Sequence, residues 1–331
     1  MMSRQGYFRL GMCFIVLSIF SYMPCIAATK AGMGQNPVPI PAAEQGLPTE
    51  NAREFFVASP GNNILEGAII DREGNLLYCD VTQKKVMRLT PDKKLSTVVN
   101  LPDMGVGGLA LSEDGRLFMA GLDLAKREGA ILAWSPDTDK IETIIPVEAG
   151  FWPNDLVLAP DGGFYFSDFH GSATDASGGV YYVSPDFRSI TPVIKNLAQA
   201  NGVALSPDGK TLWATEFAKN RLHRAQLANA TTVSPIGSSI PYHFIGPAPD
   251  SMRADGQGNV YVAIYGQGRV MIFNEMGIPT GQILLPDREK GQNLLSTSLA
   301  TQDKDLFIVS SNSETELPAK IFRAASPAHG K

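Results

Sequence analysis

Apolar strands and polar turns alternate along most of the chain. The segment "LVLAPDGGFYFSD" at residues 156–168 is representative: a short apolar run leads into a Pro-Asp-Gly turn, and an aromatic-rich run follows. Asp and Gly accept the backbone conformations of tight turns, and β-branched and aromatic residues favour strands. No segment shows sustained helical periodicity. The pattern therefore predicts an all-β fold built from hairpins.

This hairpin pattern recurs six times. The copies align as "IIDREGNLLYCD", "LALSEDGRLFMAG", "LVLAPDGGFYFSD", "VALSPDGKTLWATE", "MRADGQGNVYVAI" and "LATQDKDLFIVSS". The turn of each copy is marked in order by Gly74, Gly115, Gly162, Gly209, Gly258 and Lys304. Successive turns are about 41 to 49 residues apart, a spacing typical of one four-stranded propeller blade per copy. The chain is therefore predicted to form a six-bladed β-propeller.

One strand at each end of the repeat region lacks a partner. The sixth copy ends with "KIFRAAS" at residues 320–326, one strand short, while "REFFVAS" at residues 53–59 precedes the first copy. Pairing these strands leaves no open sheet edge at the ring seam. We therefore predict that the N-terminal strand closes the last blade. The expected organisation is an extended lead-in at 29–53, a propeller at 54–325 and a tail at 326–331.

The first 28 residues have the character of an export signal. Two arginines precede the apolar stretch "LGMCFIVLSIFSYMPCIAA", which is short for a membrane span and ends in small residues. We expect removal of a signal peptide near Ala27 or Ala28, followed by a periplasmic or secreted location without stable membrane insertion. An uncleaved anchor and a lipoprotein attached at Cys25 are the alternatives.

The composition is that of an ordinary globular protein. The 331 residues are 44% hydrophobic and carry a net charge of −5, with no basic run that would favour nucleic-acid binding. After signal cleavage Cys79 would be the only cysteine, so an exported protein would fold without an internal disulfide. A monomer is expected.

Polar residues recur at one level of the predicted channel. The first strand of each propeller blade lines that channel, and the position eight residues before each turn marker falls at its start. Four of the six positions carry a carboxylate or carboxamide, and we call these four residues the hub tetrad: Glu66, Asn154, Asn201 and Asp250. The other two positions hold Gly107 and Ser296. Asn and Asp also begin strands simply because they suit the preceding turn, but this does not explain a glutamate or the shared offset.

The hub tetrad suits a divalent cation. Two acids and two amides supply oxygen donors with a total charge of −2, and such a cluster would be costly in a narrow channel without a counter-ion. Oxygen donors favour Ca²⁺, with Mg²⁺, Mn²⁺ or Zn²⁺ as substitutes. The four histidines are scattered without zinc-site spacing, which disfavours zinc as the native ion.

Four segments together resemble the gluconolactonase and regucalcin (senescence marker protein) family. They are "LEGAIID", "PNDLVLAPDG", "NGVALSPDGKTLW" and "DSMRADGQGNVYVA", and the resemblance runs from about residue 54 to 324. The chain is also similar to the drug-responsive lactonase and diisopropyl fluorophosphatase types of six-bladed propeller. The resemblance implies a channel calcium held by the hub tetrad, with Ser251 near the metal as in the lactonase branch.

The resemblance also implies a hydrolase and assigns roles within it. A channel cation polarises a carbonyl and activates water, and Asp250 would act as the base. Asp155 would tune its neighbours, cap a turn, or replace Asn154 as a ligand. The loops after the second strands would surround the mouth and contact a lactone or ester substrate through Trp152, Phe169, His170, Phe217, Tyr265 and Asp123.

Two functions are therefore predicted as alternatives. The first is an exported, metal-dependent hydrolase that opens lactones. The second is a non-catalytic propeller that binds a ligand or a partner protein on its loop face and keeps the metal for stability, because fold alone does not fix function.

Overall fold

The computed structural model describes residues 37–61, 63–312 and 317–326. The predicted signal peptide, the start of the lead-in and residues 327–331 lie outside this described part. The described residues form 25 β-strands and four short 3₁₀ helices. The helices span Ala42–Glu44, Val147–Ala149, Phe217–Lys219 and Arg288–Lys290. Within the described ranges, no helix has the length and apolar character needed to cross a membrane.

The strands form six sheets, and each sheet is one propeller blade. The first two strands, β1 (Thr49–Asn51) and β2 (Arg53–Ser59), precede blade 1. Blade 1 contains β3 (Leu65–Ile70), β4 (Leu76–Asp80), β5 (Lys85–Leu89) and β6 (Leu95–Asn100). Blade 2 contains β7 (Gly105–Leu111), β8 (Leu117–Asp123), β9 (Glu128–Ser135) and β10 (Lys140–Ile145). Blade 3 contains β11 (Pro153–Leu158), β12 (Phe164–Asp168), β13 (Gly178–Val183) and β14 (Ile190–Leu197).

The second half of the ring repeats this arrangement. Blade 4 contains β15 (Ala200–Leu205), β16 (Thr211–Glu216), β17 (Arg221–Asn229) and β18 (Thr232–His243). Blade 5 contains β19 (Pro249–Ala254), β20 (Val260–Ile264), β21 (Arg269–Phe273) and β22 (Pro279–Leu284). Blade 6 contains β23 (Leu295–Gln302), β24 (Asp305–Ser311) and β25 (Ala319–Ala325). The first strands of neighbouring blades contact one another, and β23 contacts β3, so they form a closed ring.

The ring seam closes as the sequence predicts. Strand β2 pairs antiparallel with β25, with Arg53 opposite Arg323, and becomes the outer strand of blade 6. The described end of the lead-in is also ordered against blade 5, because β1 pairs parallel with β22 as a fifth strand. Just before β1, the buried Glu44 carboxylate pairs with the buried guanidinium of Arg269. This docking of the lead-in has no signal in the repeat pattern.

The hydrophobic core lies between neighbouring blades. Phe118 of blade 2 packs on Phe164 of blade 3 with ring centroids 5.6 Å apart, and both rings are buried. Trp213 of blade 4 belongs to a buried cluster with Phe273 of blade 5. Apolar strands of high β-propensity therefore hold the ring together by face-to-face packing of sheets.

All six inner strands share one irregularity. The register between the first and second strands shifts near the start of the first strand in every blade, for example between Glu66 and Ile69 and between Pro249 and Met252. Such β-bulges bend a strand, interrupt its ladder and redirect side chains. In this propeller they lie at the level where the hub tetrad is predicted.

Candidate functional site

The hub tetrad occupies one structural position in four blades. Each member is the second residue of its inner strand, in β3, β11, β15 and β19. The end of the second strand lies beside the start of the first, as the pairing of Pro153 with Asp168 and of Pro249 with Ile264 shows. We call this face the mouth. The loops after the second strands therefore surround the tetrad, as the sequence predicts.

Close contacts between blades draw these inner strands together. A Cβ atom added at Gly107 would lie 2.3 Å from the carbonyl oxygen of Asn154, and one at Gly202 would lie 2.6 Å from the carbonyl oxygen of Asp250. Ser251 Oγ of blade 5 donates to Glu66 Oε2 of blade 1 across 3.5 Å. These contacts hold the inner strands that carry the hub tetrad close together.

Three oxygens of the hub tetrad have no hydrogen-bond partner among the described residues. Eight buried side-chain atoms in the described part of the chain lack one, and the carboxamide and carboxylate oxygens among them are Oδ1 of Asn154, Asn201 and Asp250. Buried polar atoms of folded proteins are normally paired, and leaving them unpaired costs free energy. Unpaired buried oxygens of this kind are the acceptors that an oxygen-coordinated cation would satisfy.

The pKa values of the two hub carboxyl groups also favour a bound cation. Burial raises the pKa of Glu66 well above its usual value, and the negative charges of Asp250 and Asp155 raise it further. Burial also raises the pKa of Asp250 well above its usual value, although a hydrogen bond from the Asn201 side chain opposes the shift. In the chain alone, therefore, the hub disfavours its own negative charge, and a cation would relieve this cost.

Asp155 has a different environment from its neighbour Asn154. The Asp155 side chain is fully buried, and its Oδ2 accepts a hydrogen bond from Arg253 at 2.9 Å and one from the Val203 amide at 3.3 Å. Its Oδ1 accepts from the Leu156 amide at 2.9 Å. Both carboxylate oxygens thus already accept hydrogen bonds, whereas Oδ1 of Asn154 has no partner in the described part of the chain. This favours Asn154 over Asp155 as the ligand.

The hub tetrad fits an oxygen-coordinated cation through its mixed character. Among the described residues, no cluster of three or more His, Cys, Asp or Glu side chains is positioned to hold a metal ion. A site here would therefore depend on the two carboxamides as much as on the two carboxylates. Oxygen-only donors of this kind suit calcium or magnesium better than zinc.

Aromatic side chains line one side of the mouth. Phe169, Phe217 and Tyr265 each directly follow the second strand of blades 3, 4 and 5, and they form a chain of ring contacts with centroid separations of 5.7 and 5.8 Å. Trp152 extends this arc, with its ring 5.1 Å from that of Phe169. We call these four rings the aromatic arc. Trp152 is buried and the other three are partly exposed.

Two further predicted mouth residues are held by local contacts. His170 Nδ1 lies 2.7 Å from Oδ1 of the buried Asp168, and the His170 ring lies 6.0 Å from that of Trp152. Asp123 accepts hydrogen bonds from the Ala125 and Lys126 amides, and it also pairs with the Lys126 ammonium at 3.5 Å. His170 therefore borders the aromatic arc, while the Asp123 carboxylate mainly orders its own loop.

Sequence reasoning missed three polar residues of the hub. Arg253 lies three residues after Asp250 in "DSMRADG", and it neutralises Asp155 across the channel. Ser167 and Thr215 are buried hydroxyls that bond to inner strands of two blades. The only sequence signal for these two is a hydroxyl residue immediately before the last residue of a second strand.

Comparisons with known proteins agree with this architecture. The sequence profile of the family described as SMP-30/Gluconolactonase/LRE-like region matches residues 49–312. The chain is 46% identical over 269 residues to lactonase drp35 of Staphylococcus saprophyticus, a match that covers 80% of this chain and 83% of that protein.

Solved structures show the same fold at lower identity. A luciferin-regenerating enzyme matches with a TM-score of 0.68 and 20% identity, covering 84% of this chain and 96% of its own. A calcium-binding protein, regucalcin from Agrobacterium tumefaciens, matches with a TM-score of 0.67 and 16% identity over the same shares of the two chains.

Proposed function

The chain belongs to the SMP-30/gluconolactonase/LRE-like family, and from this premise we propose that it is a hydrolase that opens lactones with the help of a divalent cation at the hub. Calcium is the ion that we propose first. The observation that carries the proposal is the set of three unpaired buried oxygens, Oδ1 of Asn154, Asn201 and Asp250. The 46% identity to a protein named as a lactonase supports the substrate class.

The hub tetrad would hold the cation, and Ser251 would support it by donating to Glu66 Oε2. When bound, such an ion supplies Lewis-acid chemistry: it polarises a carbonyl group and lowers the pKa of water. The Asp250 carboxylate, through the oxygen that the cation would not hold, is the group that we assign to take the proton from the attacking water. Asp250 is buried at the hub.

Other residues of the site would orient the substrate. The aromatic arc offers apolar ring surface beside the hub, which suits the ring carbons of an apolar or mixed lactone. His170 borders the same surface, with its Nδ1 held by Asp168, so that its other ring nitrogen is oriented by this contact. Asp155, paired with Arg253, would keep the inner strands in place rather than touch the substrate.

The test measures hydrolysis of a panel of lactones and linear esters, with turnover detected through the release of protons. We expect metal-stripped protein to be inactive and added CaCl₂ to restore turnover. Asp250→Ala should lower kcat by about 10²- to 10⁴-fold, the usual contribution of a general base. Asp208→Ala, an exposed carboxylate in a turn of blade 4, is the matched control and should retain wild-type turnover.

Two outcomes would contradict the proposal. Full activity in chelator would show that the cation takes no part, and full activity of Asp250→Ala would show that this carboxylate takes no part. Calcium binding with a rise in melting temperature, but without turnover on any lactone or ester, would instead favour a non-catalytic propeller with a structural ion.

Export remains part of the proposal on sequence grounds alone. The predicted signal peptide at residues 1–28 lies outside the described ranges, and its apolar stretch followed by small residues is what supports export.

A further inference from the structure

Two buried hydroxyls link the inner strands of blades 3, 4 and 5 at the level of the hub tetrad. Ser167 and Thr215 occupy equivalent positions, each immediately before the last residue of the second strand of its blade. Both residues have 0% exposure. Neither residue is a member of the hub tetrad, and the function proposed above gives neither of them a role.

Each hydroxyl accepts one hydrogen bond within its own blade. The Asp155 amide donates to Ser167 Oγ at 3.0 Å, and the Gly202 amide donates to Thr215 Oγ1 at 2.7 Å. These two amides belong to the residues that directly follow Asn154 and Asn201 in the chain. They lie in the β-bulges, where the regular ladder between strands is interrupted, so the hydroxyls satisfy amides that the ladder does not.

Each hydroxyl also donates one hydrogen bond to the next blade. Ser167 Oγ donates to the backbone carbonyl of Asn201, and Thr215 Oγ1 donates to the backbone carbonyl of Asp250 at 2.8 Å. The hydroxyl has one proton, and it is used in this contact between blades. The backbone segments of Asn154, Asn201 and Asp250 are therefore tied together in series.

We propose that Ser167 and Thr215 are positioning residues for the cation site. They fix the spacing between three tetrad members by joining the bulge of one blade to the carbonyl of the next. This inference rests on the proposed cation site and adds the residues that set its dimensions. Hydrogen-bonded groups behind metal ligands commonly change metal affinity by about 10- to 100-fold when they are removed.

Blade 6 provides a natural comparison. Ser310 occupies the equivalent position in β24, because Ser311 pairs with Leu295 as Asp168 pairs with Pro153. Ser310 is fully buried, yet its hydroxyl has no partner among the described residues. The inner strand of blade 6 has Ser296 at the tetrad level, so no tetrad member depends on Ser310 in its own blade.

The test measures calcium binding rather than turnover. Metal-stripped full-length protein is titrated with CaCl₂ by calorimetry, and its thermal unfolding is recorded in chelator. Thr215→Val keeps the branched shape without the hydroxyl, and Ser167→Ala breaks the other link, so one variant can serve if the other does not fold. Both should raise the Kd by about 10-fold or more. Two control variants should keep the wild-type Kd: Thr215→Ser, which keeps a hydroxyl at this position, and Ser310→Ala.

The outcomes separate this inference from the proposed function. A wild type that binds no divalent cation would overturn both. A wild type that binds calcium, together with Thr215→Val and Ser167→Ala variants that bind it equally well, would overturn the positioning role alone. The positioning role would also be overturned if these variants unfold at lower temperature but keep the wild-type Kd, because the hydroxyls would then serve only stability.

Discussion

Each blade has a turn end, where a turn joins its first two strands, and a hub end, where the tetrad level lies. Both ends carry carboxylates and carboxamides, but their hydrogen bonding differs. At the turn end, Asp208 accepts hydrogen bonds from the Ser206 hydroxyl at 2.6 Å and from the Lys210 amide at 3.0 Å. Asp71 likewise accepts from the amides of Glu73 and Asn75. At the hub end, Asn201 and the other unpaired members of the tetrad keep an oxygen that no described residue satisfies.

This difference separates polar residues that are satisfied within the fold from polar residues that have no partner in the described part of the chain. A turn carboxylate completes its hydrogen bonds within a few residues of chain, as Asx-turns do. The Ser206 hydrogen bond lowers the pKa of Asp208, whereas burial raises the pKa of Asp250. The turn carboxylates are therefore satisfied by nearby residues, whereas the hub keeps unpaired oxygens that a cation would satisfy.

The largest expected effect on stability concerns the buried ion pair of Arg253 and Asp155. Arg253→Met would leave Asp155 without its cation, fully buried, next to Glu66 and Asp250. Removing one partner of a buried pair typically costs about 3–5 kcal/mol. We expect a loss of this size in the free energy of unfolding, measured by denaturant titration in chelator.

A matched variant at the turn end sharpens this prediction. Arg323 pairs with Asp305 on the surface of blade 6, with about half of the Arg323 side chain exposed, and Arg323→Met should cost less than about 1 kcal/mol. The double variant Arg253→Met/Asp155→Asn should recover much of the lost stability, because it removes the stranded charge. Equal losses for Arg253→Met and Arg323→Met would remove the energetic distinction between hub and turn.

A smaller effect is expected in the pH dependence of stability. The folded, metal-free protein holds the pKa values of Glu66 and Asp250 above their usual 4.5 and 3.8. Their contribution to stability is complete below those usual values and is lost as the pH rises through the raised folded-state pKa values. The turn carboxylates Asp186 and Asp208 have lowered pKa values, so their contribution is lost only at more acidic pH.

The melting temperature in chelator should therefore fall as the pH is raised above the usual pKa values of these two groups, and calcium should reduce this fall by favouring the ionised hub. The melting temperature is measured by calorimetry over this pH range, once with EDTA and once with CaCl₂. Asp80, Asp155 and Asp168 also have pKa values raised by burial, so only the calcium-sensitive part is assigned to the tetrad. Parallel curves in the two buffers would contradict this assignment.

The sequence predicts the features of the molecule that repeat. The Asp-Gly turns recur at nearly constant spacing, so the six blades, the closure by β2 and the eight-residue offset of the hub tetrad could all be inferred. Rotational repetition then places equivalent residues at one level of the axis. The docking of β1 on blade 5 has no such signal, because it occurs once and involves contacts outside the repeats, such as the buried pair of Glu44 and Arg269.

The parts of the site that sequence reasoning missed depend on contacts between distant residues. Arg253 reaches Asp155 across 98 positions of the chain, and Ser167 reaches the Asn201 carbonyl across 34. Whether a serine inside an apolar strand is partnered depends on its neighbour in the next blade. Ser167 and Ser310 look alike in the repeat alignment, but only Ser167 bonds to the adjacent inner strand among the described residues.

Anomalous diffraction from crystals grown with Mn²⁺, which substitutes for calcium at oxygen sites, tests the central claim most directly. We expect one strong peak on the propeller axis, within about 2.1 to 2.6 Å of side-chain oxygens of Glu66, Asn154, Asn201 and Asp250. The proposed cation site would be contradicted if the crystals show manganese elsewhere but no peak at the hub. The Oδ1 atoms of Asn154, Asn201 and Asp250 would then be bonded to other donors.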